Sequence, residues 1–337
     1  MKAIRRSIRV AALCVAPLAL ASPAHSADLT LPRDGWSSWK VPAVDEAPAW
    51  CCLSWNKGLV SPQSCRLDSD EGGYGSTSKA TTDTVRVYAR TTGGKVDRLR
   101  VFAATCPAQA AAPIREIENV AVDDSARWLI DLAKRSRTAA KSRDDIEEEV
   151  LAALAMHRGK FAGDALASFA RSDAREETRK HAIFWLATLR GTEGAELTSA
   201  MMFSDEDPDV REHAAFSLSQ TESPRAAADL IRLGNTDKDD DVRSQAWFWL
   251  AQTGASEAEG AIVAALRNDK DEDVREDAVF ALSQLPDERA TRALIAAAEN
   301  RSLSREQRRQ AVFWLSQSQE DAAQAYLDKV LLGGAAH

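Results

Sequence analysis

Hydrophobic and polar positions change period along this chain. Between residues 84 and 103 they alternate: Val85 and Val87 with Arg86 and Tyr88, then Leu99 and Val101 with Arg98 and Arg100. Period two, with Gly93-Gly94 between the runs, predicts a β-hairpin with one buried face. Beyond residue 120 the apolar positions recur every three or four residues, which predicts helices.

Five segments of that second part align without gaps: EETRKHAIFWLAT (176–188), PDVREHAAFSLSQ (208–220), DDVRSQAWFWLAQ (240–252), EDVREDAVFALSQ (272–284) and REQRRQAVFWLSQ (305–317). Arg179, Arg211, Arg243, Arg275 and Arg308 recur at spacings of 32, 32, 32 and 33. Three residues on is always alanine, five on phenylalanine, seven on leucine. Acidic residues such as Asp239, Asp240 and Asp241 open each segment and suit a helix N-terminus. The apolar run is too broad for a one-sided surface helix, so each helix is expected to be covered on several sides. Ala/Leu-rich stretches at 193–203, 224–233, 256–267 and 287–299 predict a partner helix per unit, with Pro224 and Pro286 at starts or turns. A weaker copy precedes these: a helix over 124–135, then DIEEEVLAAL, where Ile146 matches Val210 but Glu147 replaces the arginine. That copy and a helix over 320–332 read as end caps.

The Asp-x-x-Val-Arg-x-x-Ala core resembles HEAT repeats, in the short bacterial form also seen in phycobilisome bilin lyases. The likeness covers roughly residues 120–332. Tetratricopeptide and ankyrin signatures are absent. The whole chain is similar to exported bacterial HEAT-repeat proteins that join a Cys/Trp-rich N-terminal module, here with CRLD at 65–68 and LRVFAATC at 99–106, to FWLAQ- and FALSQ-type repeats. The expected fold is mainly α: an α-solenoid of short HEAT-type helical pairs behind a small β-rich disulfide module. In such solenoids the second helix of each pair lines the concave side.

The chain opens with the layout of a secretory leader. Lys2, Arg5, Arg6 and Arg9 precede an apolar run from Val10 to Ala21, and Ala24 and Ser26 stand at minus three and minus one before Ala27. The run is short of the ~20 residues of a spanning helix, and no later segment is apolar enough to span. The expected organisation is a signal peptide over 1–26, a Cys/Trp-rich β module over 27–112 and a solenoid over 120–332, in a periplasmic or secreted protein. The chain holds 43 basic and 51 acidic residues, net −8, and loss of the leader's four basic residues takes it to −12. That excludes general nucleic-acid binding, which needs a basic surface.

Besides Cys14, the cysteines are Cys51, Cys52, Cys65 and Cys106, all before residue 110. An even count in an exported chain predicts two disulfides, with the pairing open, except that adjacent Cys51 and Cys52 are not expected to pair. A zinc site is disfavoured because no Cys-x-x-Cys spacing is present. Trp36, Trp39, Trp50 and Trp55 are expected in this module's core, the alternative being a carbohydrate or peptide platform.

Chemistry finds little footing. HEAT-type deoxyhypusine hydroxylase holds two irons with His-Glu dipeptides, and this chain has none; His157, His181, His213 and His337 lack matched carboxylates. Asp237-x-Asp239-x-Asp241 and Asp269-x-Asp271-x-Asp273 begin like calcium loops, but valine stands at position six and phenylalanine at twelve. Helix capping and pairing with the repeated arginines account for them better, and such a ladder would tie successive repeats together. No cofactor or metal is expected, and no catalysis. A bilin-lyase-like or metal-dependent enzyme is the alternative.

A binding face is expected on the arginine-bearing helices, at offsets two, six and nine from each arginine. Offset six carries Trp185, Trp249 and Trp314; offset nine carries Gln220, Gln252, Gln284 and Gln317; offset two carries His181, His213, Gln245, Asp277 and Gln310. Aromatic rings beside amides suit a protein or peptide partner. The acidic turns favour a basic one. The competing account has the tryptophans packing between neighbouring repeats.

Overall fold

The computed structural model describes residues 29–56, 59–69, 74–75, 80–136 and 146–333. The leader expected over 1–26 lies outside the described residues. Among the described residues nine strands come first: β1 (Gly35–Pro42), β2 (Cys51–Asn56), β3 (Leu59–Gln63), β4 (Cys65–Arg66), β5 (Tyr74–Gly75), β6 (Thr84–Thr92), β7 (Lys95–Ala103), β8 (Ala108–Gln109) and β9 (Arg115–Glu116). The main sheet runs β7-β6-β1-β9, antiparallel except for β9. The β6–β7 hairpin turns at Gly93 and Gly94, both at positive φ (60° and 83°), which a two-residue primed turn demands of its central residues.

The hairpin is not buried on one face only. Trp39, Val41, Val85, Val87, Leu99 and Val101 point into the helical core. On the opposite face Trp36, Tyr88 and Phe102 pack over Cys65, Leu67 and Cys106. Tyr88, which alternation assigns to solvent, is buried because the β4 and β8 segments fold back across that face. The pairs Cys51–Cys106 and Cys52–Cys65 are at disulfide distance and staple that second layer.

Thirteen helices follow among the described residues: α1 (Val122–Ser136), α2 (Glu147–Met156), α3 (Lys160–Ser172), α4 (Glu176–Leu189), α5 (Gly191–Ser204), α6 (Pro208–Ser219), α7 (Ala226–Thr236), α8 (Asp240–Gln252), α9 (Ala258–Asn268), α10 (Glu272–Ser283), α11 (Asp287–Glu299), α12 (Arg305–Gln317) and α13 (Asp321–Gly333). They pair as first and second helices, α3/α4 through α11/α12, with α1/α2 as a degenerate unit and α13 at the end. Sequence reading names no helix over α3, which lacks the arginine-centred signature. The starts follow side-chain chemistry. Asp207, Asp239 and Asp271 cap α6, α8 and α10, and Ser304 with Gln307 forms a capping box on α12.

Neighbouring second helices pack closely on one another, whereas consecutive first helices scarcely touch. The stack therefore curves with its second helices on the inner side.

The two regions share one core. It runs from Trp39 in β1 through Leu129 and Leu154 to Leu315 and Ala323. A buried relay crosses the junction. The Trp39 indole donates to Ser125 Oγ (2.7 Å), which meets His157 Nε2 (2.7 Å), while His157 Nδ1 lies 2.5 Å from the Ala153 carbonyl. A carbonyl only accepts, so Nδ1 carries the proton and Nε2 accepts from Ser125. Burial pushes the His157 pKa down to about 4, which keeps the ring neutral. Arg100 on β7 also pairs with Glu149 on α2 at 3.0 Å.

Candidate binding face

The repeated arginines build the frame. Arg179 gives Nε and Nη2 to Asp205 (3.0 and 3.1 Å), Arg211 to Asp237 (2.9 and 2.9 Å) and Arg243 to Asp269 (3.0 and 3.0 Å). Each aspartate ends the first helix of the next unit, so every fork crosses a repeat boundary. The remaining Nη1 of each arginine donates within its own unit, to the carbonyl of Asp173, Asp205 or Asp237. Burial raises the Asp237 carboxyl, but the Arg211 fork, the Asp239 amide and the cationic charge outweigh it and hold the pKa below the ordinary range. Asp269 behaves likewise beneath Arg243.

Both ends of the ladder differ. Arg275 donates to the Asp269 carbonyl (2.6 Å), but Asn300 ends the next first helix, so no carboxylate meets it there. Arg308 donates to the Leu303 carbonyl. At the N-terminal end the polarity reverses. Glu147 occupies the arginine's place and accepts from Arg175 and from Thr178 Oγ1 (2.5 Å).

On this frame the second helices repeat one stripe of exposed and half-exposed residues at spacings i, i+4, i+7, i+11. It reads Glu177-His181-Phe184-Thr188 on α4, Asp209-His213-Phe216-Gln220 on α6 and Asp241-Gln245-Phe248-Gln252 on α8. It continues as Asp273-Asp277-Phe280-Gln284 on α10 and Glu306-Gln310-Phe313-Gln317 on α12. At 100° per residue these four positions fall within a 60° sector. Stacked side by side, they form three rails along the inner face: carboxylate, aromatic and amide.

The aromatic rail is continuous. Phe184 stacks on Phe216 (5.9 Å), Phe216 meets Trp249 (4.8 Å), Phe248 stacks on Phe280 (5.6 Å), and Phe280 meets Trp314 (5.0 Å). The predicted tryptophans are half-buried and reach the preceding unit, with Trp185 against Trp50 of the β module at 5.3 Å. Four of the repeated phenylalanines, Phe184, Phe216, Phe248 and Phe280, are half-exposed, and Phe313 is 54% exposed, on helices covered on several sides. Offset five lies only 40° from offset nine, so these rings share the surface sector of the glutamines.

Gln220, Gln252 and Gln317 are exposed and Gln284 is half-exposed; Gln252 donates to Gln284 at 3.2 Å. A cavity of about 300 Å³ opens between Thr188 and Gln220, and one of about 380 Å³ between Gln284 and Gln317.

Asp209, Asp241 and Asp273 of the carboxylate rail, and Asp277 one turn on in α10, have no ion-pair partner among the described residues. Slight burial and the like charges of Asp240, Asp239, Asp277 and Asp273 raise the Asp241 pKa. Burial, then Asp209, Asp241 and Asp239, raise Glu212; burial, then Glu306, Glu272 and Asp273, raise Glu276.

Other candidate chemistry is committed elsewhere. Sulfurs of Cys51, Cys65 and Cys106 lie close enough together to face a metal, but each sits in a disulfide-distance pair. Glu176, Asp207 and Asp209 also converge; Glu176 pairs with Lys180 (2.6 Å) and Asp207 caps α6. Asp237 and Asp269 accept from the amides two residues on and from the arginine ladder. Trp36 and Trp39 are buried and so cannot form a glycan platform; the Trp55 side chain lies outside the described residues. His213 is shielded, and burial with Lys180 and His181 nearby lowers its pKa to about 4.

A sequence model for HEAT repeats matches residues 163–247 and 235–316. No curated protein matches the chain. Among solved structures, human deoxyhypusine hydroxylase in complex with glycerol shares 15% identity over 60% of this chain and 90% of its own, with a TM-score of 0.27. The Escherichia coli protein YibA shares 21% over 62% and 80%, with a TM-score of 0.37. A computationally designed self-assembling cyclic homo-oligomer shares 17% over 62% and 80%, with a TM-score of 0.14. Residues 163–316 match HEAT repeats, within a mainly helical chain that carries a small sheet with disulfide-distance cysteine pairs at its N-terminal end.

Proposed function

We propose that this protein is a non-catalytic scaffold that works outside the cytoplasm and holds a protein or peptide along the inner face of its second helices. The observation that carries the reading is the stripe repeated on five successive second helices. Packing alone requires the buried alanine and leucine of each unit, yet an acid and an exposed or half-exposed ring recur with them in all five, and an amide in four. A curved stack with a periodic inner surface suits an extended ligand. Two disulfide-distance cysteine pairs support an oxidising compartment.

The test is recovery of partners from the native envelope with wild-type protein and with a Gln252→Ala/Gln284→Ala double variant. Gln252 is exposed, Gln284 half-exposed, and the bond between them is at the surface, so the double variant should keep its Tm to within a few degrees while losing most of the recovered partner. Undiminished recovery would move recognition away from this face.

A further inference from the structure

The four cysteines of the sheet module stand in one line of sulfurs, away from the inner face of the helices. We infer that they form a thiol–disulfide exchange site. A dithiol that opens Cys52–Cys65 starts a relay that ends with a buried Cys65–Cys106 disulfide and free thiols at Cys51 and Cys52.

Burial decides where an external thiol can enter. Cys51 and Cys52 are half-buried, whereas Cys65 is 1% and Cys106 6% exposed, packed with Trp36, Leu67, Tyr88 and Phe102. Each disulfide-distance pair joins one outer sulfur to one inner sulfur, Cys52 to Cys65 and Cys51 to Cys106. Between the pairs, the two inner sulfurs lie 3.6 Å apart. That is close to the roughly 3–3.5 Å from which a reacting pair forms its bond. The order along the line is therefore Cys52, Cys65, Cys106, Cys51, and an incoming thiolate reaches only its ends. The leaving sulfur selects the end. The Cys52 amide donates to Cys65 Sγ at 3.1 Å and steadies it as a departing thiolate. Cys106 Sγ instead faces the Pro107 carbonyl at 3.8 Å, which offers a thiolate nothing.

The steps balance. One thiolate of the external dithiol attacks Cys52 Sγ, the Cys52–Cys65 bond breaks, and Cys65 leaves as a thiolate. Cys65 then attacks Cys106 Sγ, forming Cys65–Cys106 and releasing Cys51 as a thiolate. The dithiol's second sulfur attacks its partner sulfur in the mixed disulfide, departs as a cyclic disulfide and frees Cys52. The two protons of the dithiol pass to Cys51 and Cys52. The dithiol is oxidised by two electrons, and the protein keeps one disulfide in a new place.

Three features hold the product at that stage. The new bond lies in the buried cluster, out of reach of a second external thiol. Cys51 and Cys52 resist closing on each other, because consecutive Cα atoms are about 3.8 Å apart and a disulfide takes about 4.4–6.8 Å. The Gln63 carbonyl lies 3.6 Å from Cys51 Sγ and accepts from its thiol once that has formed. The reduced module thus keeps an internal staple while presenting an adjacent pair of thiols, which by the reverse steps can reduce a disulfide brought to them.

The test is limited reduction of the mature chain, residues 27–337, by one equivalent of dithiothreitol under native conditions. The reaction is stopped in acid, free thiols are alkylated with N-ethylmaleimide in denaturant, and the tryptic peptides are weighed. Cys51 and Cys52 fall in peptide 41–57, Cys65 in 58–66 and Cys106 in 101–115. The relay predicts two labels on 41–57, with 58–66 joined to 101–115. That product should exceed either unrearranged one by at least about tenfold, because a sulfur held in contact outcompetes a dilute external thiol. Cys52→Ser examines the inner step without any reductant. Cys65 is then the free thiol and should displace Cys51, joining 58–66 to 101–115 and leaving the label on 41–57. In the wild type, a surviving link from 41–57 to either other peptide as the main reduced product, or fully reduced chains beside intact ones, would overturn the inference. So would a label on 58–66 in Cys52→Ser.

Discussion

Gly234 shows how tightly single positions are set. A Cβ there would lie 2.5 Å from the Trp247 indole, which is buried and carries an Nε1 with no partner among the described residues. Tryptophan at this offset occurs only in the middle unit, where Ile183, Ala215, Val279 and Val312 stand in the others. Gly234→Ala should therefore cost about 1–3 kcal/mol by overpacking. Gly260 is also helical, with nothing within 4 Å of its added Cβ, so Gly260→Ala should stabilise by up to ~1 kcal/mol. Opposite shifts of Tm in the two variants are the expected result. His157 supplies a pH signature. Its folded pKa of about 4 lies below the ordinary 6.5, so the unfolded chain takes up a proton first as pH falls. Its contribution to stability is full above pH 6.5 and declines between 6.5 and about 4, by on the order of 3 kcal/mol in total. Tm against pH should be flatter across that window in His157→Gln; an unchanged slope would remove His157 as a cause. This histidine left no trace in the sequence, because a lone imidazole has no motif and its partners Trp39 and Ser125 are remote in the chain.

At the scale of elements, the ladder makes unequal predictions for identical residues. Arg243→Ala leaves Asp269 buried without its fork and should cost about 3–5 kcal/mol. Arg275→Ala removes a bond to a carbonyl and should cost only about 1 kcal/mol. Urea denaturation of the two variants separates these outcomes, and equal losses would contradict the ladder. The arginines and their acidic turns were legible because one residue type recurred at a fixed interval. The exposure of Phe184 through Phe280 was not, because a phenylalanine beside leucine and alanine reads as core until the neighbouring helices are placed. Likewise, strand alternation could not reveal what covers Tyr88, since β4 and β8 are two residues each and carry no pattern of their own. The disulfide pairing required three dimensions for the same reason.

For the whole molecule, the shared core couples the sheet to the first helical unit. Trp39, Val41, Leu99 and Val101 complete the packing of α1 and α2, so a fragment starting at residue 113 loses the cover of its first unit. It should melt about 10 °C or more below the mature chain, given a loss of several buried side chains. Equal melting would make the sheet a mere appendage. With one end welded to the sheet and three arginine rungs tying the middle repeats together, the inner face is held in a single curvature, the condition for binding an extended ligand without a large ordering cost. The central claim is that partners lie along this face. The most direct measurement replaces Phe248 or, on the outer first-helix layer, Asn268 with a photo-crosslinking phenylalanine analogue, then irradiates the protein in its native envelope. The account predicts a discrete cross-linked partner from position 248 and none from 268. Adducts from 268 alone, or none from 248 with a partner demonstrably bound, would contradict it.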